Sequence, residues 1–361
     1  ASRPVPSLLR DFSAPVIVEY AYTDDELALL LAHDTNAFAR WEAGQELASR
    51  QILEVVHALQ KAAPDGAATA LPPGALPDMS VLVDAWRAVL EDHAVDSAWR
   101  ARALGLPSEK VLAERMTEVD PAALALARDH VRSELGRQLA TQFHDAIATN
   151  QTPGAYSPDP VSAGRRDMKN LALVYLMAGG DARGRTLALE QYQGAGNMTD
   201  SMAALAAMVN YGEPGESREA LDDFYRRWEH DPLVIDKWFS LQATSRTATV
   251  GAIRSLMQHP AFTLRNPNRA RALVFQFCLN NSRAFHHASG EGYRFWVEQV
   301  LALDALNPEI AARLARGLEQ WVRYTPALRA AMQDALGQVR QHPSLSRNVT
   351  EIVSKALEIS S

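Results

Sequence analysis

An aspartate or asparagine followed by proline and then by a periodic apolar run recurs at Asp120-Pro121, Asp159-Pro160, Asp231-Pro232, Asn266-Pro267 and Asn307-Pro308. Each pairing is a helix start. The Asx oxygen accepts a first-turn N–H that has no partner within the helix, and proline brings no N–H to a position that needs none. After Asn266, residues Ala270, Leu273, Val274, Phe277 and Cys278 fall at i, i+3, i+4, i+7 and i+8, which marks one buried helix face. After Asp231, Val234, Trp238 and Leu241 form an apolar row with Ile235 and Phe239 beside it. Counting Asn197, the restarts from 159 to 307 lie roughly 34 to 41 residues apart, near the period of HEAT and armadillo helix pairs. The spacing predicts an all-α fold, a HEAT/armadillo-like helical superhelix in which each pair buries its apolar face on the next. Such a stack offers a concave face suited to binding.

Residues 1–22 break the pattern. Val16, Val18, Tyr20 and Tyr22 alternate with Ile17, Glu19 and Ala21, as a strand does. A lone strand needs a sheet to join, and no second strand follows, so the division is a β segment over 1–22 and a helical-repeat domain over 23–361. Thr23 is placed to cap a helix whose first turn is acidic at Asp24, Asp25 and Glu26. Further helices are predicted near 37–61, 79–92, 96–104, 108–116, 162–178, 181–193, 198–210, 214–229, 246–258, 291–304, 326–341 and 345–358. Single uninterrupted helices are predicted over 121–150 and 308–322. The Pro-, Gly- and Ala-rich stretch 63–78 reads as a surface loop.

With 361 residues, 47% of them hydrophobic, the chain can bury a substantial core. A net charge of −7 without a basic stripe interleaved with aromatics speaks against nucleic acid as a partner. No apolar run approaches the roughly 20 residues of a membrane span. The first residues carry no secretory signal, and the single cysteine rules out an internal disulfide framework. Together these features point to a cytoplasmic protein.

No catalytic motif is present. HExxH, GxxxxGK[ST], GxSxG and a strand-linked GxGxxG are all missing. His286 and His287 are adjacent, so on a helix they point about 100° apart and make a poor metal pair. Cys278, on an apolar face, reads as a small buried hydrophobe. Arg271 begins a largely apolar row with Val274, Phe275 and Cys278. Its stem can lie on apolar surface with the head in water, or its guanidinium can line a cavity. Arg313 lies with Glu309 on a polar helix side at the i, i+4 spacing of a solvated acid–base pair.

Five blocks then make the chain recognisable: RPVPSLLRDFSAPVIVEY, LPSEKVLAERMTEVDP, GNMTDSMAAL, HDPLVIDKWFSLQATS, and NPNRARALVF with FHHASGEGYRFWVEQVL. In this order they closely resemble the C-terminal third of bacterial aminopeptidase N, of the M1 family of zinc metallopeptidases, almost end to end. The resemblance implies a piece of a longer hydrolase. Its zinc, its HExxH helix and most of a small β-sandwich would then lie upstream, with 14–22 as the sandwich's last strand. By itself the piece would hold no zinc and cleave nothing. It would instead cap the catalytic domain, which is its implied partner along with peptide substrates. The resemblance also carries two cavity-facing arginines onto Arg271 and Arg313. It places Glu309 where relatives often have glutamine, so that it would pair with Arg313. The alternative is a stand-alone helical-repeat module that binds a protein partner.

Overall fold

In the computed structural model, residues 4–16, 18–62, 70–71 and 76–359 are described. Most of the loop expected at 63–78 therefore lies outside the described residues. The element order is α1 Asp24–His33, α2 Ala37–Ala62, α3 Ser80–Glu91, α4 Ser97–Ala103, α5 Glu109–Glu114, α6 Pro121–Gln138, α7 Ala140–Thr149, α8 Pro160–Ala178, α9 Ala182–Gly194 and α10 Met198–Tyr211. There follow α11 Pro214–Trp228, α12 Pro232–Ala243, α13 Val250–Met257, α14 Pro267–Ala270, α15 Gln276–Asn280, α16 Ser282–Phe285, α17 Glu291–Asp304, α18 Pro308–Ala315, α19 Pro326–Arg340 and α20 Arg347–Glu358. The fold is all-α. Among the described residues no sheet forms, and β-type pairing is confined to one isolated bridge, Val119 to Tyr324. Residues 18–22 take no regular structure. The Tyr22 hydroxyl donates to the Pro6 carbonyl at 2.8 Å.

The Asx-Pro starts behave as their chemistry requires. Asp231 accepts the N–H groups of Leu233 and Val234, Asn266 those of Asn268 and Arg269, and Asn307 that of Ile310. Asp120 accepts from Ala122 and Ala123, and Asp159 from Ser162. Thr23 and Glu26 form a reciprocal capping box at the start of α1. Every residue of the two apolar faces read from sequence on α12 and on 266–278 is buried.

Two helices expected as continuous are interrupted. The 121–150 helix breaks at Leu139, whose φ of −112° and ψ of 22° leave the helical region. Leu139 is fully buried there. The 308–322 helix ends at Ala315 and continues as 3-10 turns at Arg316–Leu318 and Trp321–Arg323. There the Trp321 indole donates to the Ala356 carbonyl at 2.9 Å, which anchors the turn on α20.

The chain forms two compact units. The first contains α1 to α4 and α7 to α10. At its centre Trp86, Phe143 and Tyr175 are fully buried, with Phe143 stacked on Tyr175 at 4.6 Å. The Tyr175 hydroxyl donates to the Leu104 carbonyl and accepts from the Trp86 indole, so both polar atoms of this aromatic core have partners.

The second unit contains α11 to α20 together with Ala113–Ala125. Phe277, Phe285, Phe295 and Trp296 form its core, and the Trp296 indole donates to the Leu314 carbonyl. Beside them His286 is buried, with its Nδ1 2.8 Å from the Tyr293 hydroxyl and its ring 4.7 Å from that of Tyr324. Burial pushes the imidazole pKa down to about 3. In the unfolded chain it is about 6.5. The folded state therefore refuses a proton that the unfolded state takes up. This histidine costs nothing above pH 6.5 and destabilises progressively as pH falls from 6.5 towards 3, at about 1.4 kcal/mol per unit. Denaturation between pH 7 and 4.5 should show His286→Gln losing less stability over that span than the parent chain. Equal slopes would mean that the imidazole already protonates in the folded state.

Candidate functional site

The three side chains that the resemblance singled out lie in the second unit, and all are exposed. Arg271 opens a π-helical turn, Arg271–Phe275, within the helical run 267–280. Such a turn adds one residue to the local repeat. Val274 and Cys278 are buried while Arg271 turns outward, donating to Asn268 Oδ1 at 3.2 Å. Glu309 sits in the first turn of α18 and Arg313 in the last. Among the described residues no ion pair joins them, so the pairing expected at i, i+4 is not made. No bond brings Arg271 together with either.

The buried arginine of this region is Arg269. It pairs with Asp236 at 2.8 Å and lies 5.3 Å from the Phe239 ring. Its guanidinium ties α14 to α12, two of the helices with Asx-Pro starts. The sequence signal for this pair is weak: Arg269 stands four residues before buried Leu273, and Asp236 four after Pro232 at the start of α12.

The described residues contain no group of three or more His, Cys, Asp or Glu that could hold a metal. His286 is engaged with Tyr293, and His287 bonds Ser289. The residues present do not fit a zinc site. Cys278 is buried, and its thiol is pushed well up by desolvation, as befits a core residue. No helix among the described residues is long and apolar enough to cross a membrane.

One concavity is in the first unit. A cavity of about 620 Å³ lies among the 151–157 loop, α8, α9 and the start of α10. A shallower one of about 330 Å³ is lined by Arg254 and Gln299 of the second unit. None of Arg271, Glu309 or Arg313 lines either. Along the wall of the larger cavity runs a closed polar network. Lys169 donates to Asp200 at 2.7 Å, with side chains only 7% and 5% exposed. Asn170 and Asn197 donate to the same carboxylate at 3.0 and 3.1 Å, and Gln191 ties Asn170 to the Asp200 carbonyl. Burial alone would raise the Asp200 carboxyl. The Lys169 ammonium and the two amides outweigh it and hold the group below its usual range.

Asp200 belongs to the GNMTD block, and comparison with known proteins places that block in a family. The family described as a domain of unknown function, DUF3458_C, with ARM repeats, matches residues 24–358. The chain belongs to it. Aminopeptidase N of Caulobacter vibrioides is 39% identical to this DUF3458_C chain over 356 residues, covering 98% of the chain and 39% of that protein. Aminopeptidase N of Escherichia coli is 38% identical over 360 residues, covering 98% of the chain and 39% of that protein. A solved structure of Legionella pneumophila aminopeptidase A in complex with aspartic acid superposes with a TM-score of 0.83 at 29% identity. It covers 99% of the chain and 41% of that protein. The DUF3458_C chain thus corresponds to the C-terminal domain of aminopeptidase N, and it spans about two fifths of the length of these relatives.

Proposed function

We propose that the chain is the cap domain of an aminopeptidase N, a zinc hydrolase that removes N-terminal residues from peptides. On this reading the metal and the catalytic groups belong to the rest of the protein, and residues 14–22 pair as the last strand of a preceding β-sandwich. The helical domain narrows access to the reaction site and holds the far end of the peptide. The observation that carries this is the end-to-end match to aminopeptidases from three bacteria at 35–39% identity. Arg271 and Arg313 supply the charge. Both are exposed, and neither is neutralised by a carboxylate among the described residues. Glu309, one turn from Arg313, keeps a negative charge that disfavours a carboxylate placed against it.

A charge-assisted hydrogen bond from either guanidinium to the distal peptide is worth about 1.5–3 kcal/mol, or roughly ten- to a hundredfold in affinity. An aminoacyl anilide is too short to reach such a bond. In the whole enzyme, Arg271→Ala and Arg313→Ala should therefore raise KM for tri- and tetrapeptides and leave anilide hydrolysis nearly unchanged. Glu309→Gln should lower KM for the same peptides. Equal loss on both substrate classes would make the arginines structural, and no loss on either would leave them as solvated surface.

A further inference from the structure

We propose that the cavity between α8 and α9 binds a small zwitterion, a free amino acid or a short peptide, through its carboxylate at Arg166 and Arg165. The cavity's size, about 620 Å³, is in the usual range for small-molecule sites. Arg166 lines it and is only 4% exposed. It spends one N–H on the Ser157 carbonyl at 2.9 Å, and its guanidinium lies 4.9 Å from the Tyr156 ring. Among the described residues it makes no other hydrogen bond. None of its nitrogens is both buried and unpartnered. Its remaining donors therefore open onto the cavity, already fixed in orientation by the backbone bond and the ring. A guanidinium held this way is suited to a planar carboxylate.

The charges around it favour an anion at this end. The Lys169 ammonium and the Asp200 carboxylate cancel each other within their own network, so Asp200 does not neutralise Arg166. Arg165, exposed on the same turn of α8, lines the cavity and adds a second positive charge. The other side has the opposite sign. Glu190 of α9 lines the cavity and forms no ion pair among the described residues. Beyond it α9 ends at Gly194, and Ala195 donates no capping N–H, so the last carbonyls of the helix also present negative charge. A ligand with a carboxylate and an ammonium matches both ends. A simple dianion would meet Glu190.

Calorimetric titration of the 361-residue chain with trialanine, its C-terminal amide, its N-acetyl form and inorganic phosphate tests this. Trialanine should bind, and amidation should weaken it at least about tenfold, as loss of one charge-assisted bond implies. N-acetylation and Glu190→Gln should each weaken binding severalfold, and their effects should not add, because they remove the same contact. Arg165→Ala, on an exposed residue, should weaken the acid but not the amide. Arg166→Lys should do so more strongly at unchanged melting temperature, since a point charge cannot copy the fork. The proposal is overturned if acid and amide bind alike, if phosphate binds as tightly as trialanine, if the Arg165 and Arg166 variants bind normally, or if no probe binds.

Discussion

Replacing Asp200 by alanine should destabilise the chain by about 3–5 kcal/mol, the usual cost of stranding one member of a buried ion pair. The Lys169 ammonium, 7% exposed, would lose the one carboxylate it pairs with among the described residues. Asn170 and Asn197 would lose acceptors as well, and the start of α10 would loosen, since Asn197 accepts the Asp200 N–H while donating to the Asp200 carboxylate. Lys169→Met should cost less, because the carboxylate keeps both amide donors. The double variant should cost less than the sum of the singles, as residues in one network do not act independently. Urea unfolding of the four proteins gives the comparison. A cost below about 1 kcal/mol for Asp200→Ala would show that water from the adjoining cavity already solvates the ammonium. The pH dependence has a definite sign. Because the folded carboxyl titrates below its unfolded value of about 3.9, its contribution is complete above that pH and is lost as pH falls through the folded pKa. His286 weakens the fold over a higher window, below about 6.5, so the two effects separate on a pH series.

Local chemistry was legible in the sequence wherever one residue type has one physical use. Asx-Pro marks a helix start through two unmatched N–H groups, and each such start is a capped helix in the structure. The buried faces of α12 and of 266–278 follow from side-chain period alone. The helix breaks at Leu139 and after Ala315 were not legible. Leu139 is fully buried at its break, and the turn after Ala315 is anchored by Trp321 on α20, 35 residues further on, which periodicity cannot report. The arginines show the same limit. Arg271 and Arg269 stand two apart in NPNRAR, and sequence favoured the former for the apolar side. The structure buries Arg269 because Asp236, 33 residues earlier, is there to pair with it, and the π turn swings Arg271 outward. The network around Asp200 was legible only as the block GNMTD. Its partners Lys169 and Asn170 come from another helix, and none of the three has a distinctive spacing.

Gly136→Ala should be nearly as damaging, although alanine is the better helix former by about 1 kcal/mol. Gly136 lies near the end of α6, where α8 passes so close that a Cβ would stand 2.0 Å from the Tyr175 carbonyl oxygen and 3.0 Å from the Gly179 N. Both atoms are backbone, so no flexible side chain can turn aside. Gly179 faces the same crossing, and its own Cβ would meet the Gly136 carbonyl carbon at 2.7 Å. The helices can pack here only as glycine against glycine. An added methyl must push α8 away from Trp86 and Phe143, which contact Tyr175 in the core. Overpacking a rigid contact costs about 1–3 kcal/mol and occasionally more, and with backbone on both sides the upper end is expected, about 3 kcal/mol. The control is Gly337, in the last turn of α19, where nothing lies within 4 Å of the same added atom. There alanine should stabilise by about 0.5–1 kcal/mol, through helix propensity alone. Opposite signs for the two glycines would locate the cost in the α6–α8 crossing. If Gly136→Ala also stabilises, the two helices stand further apart than this packing requires.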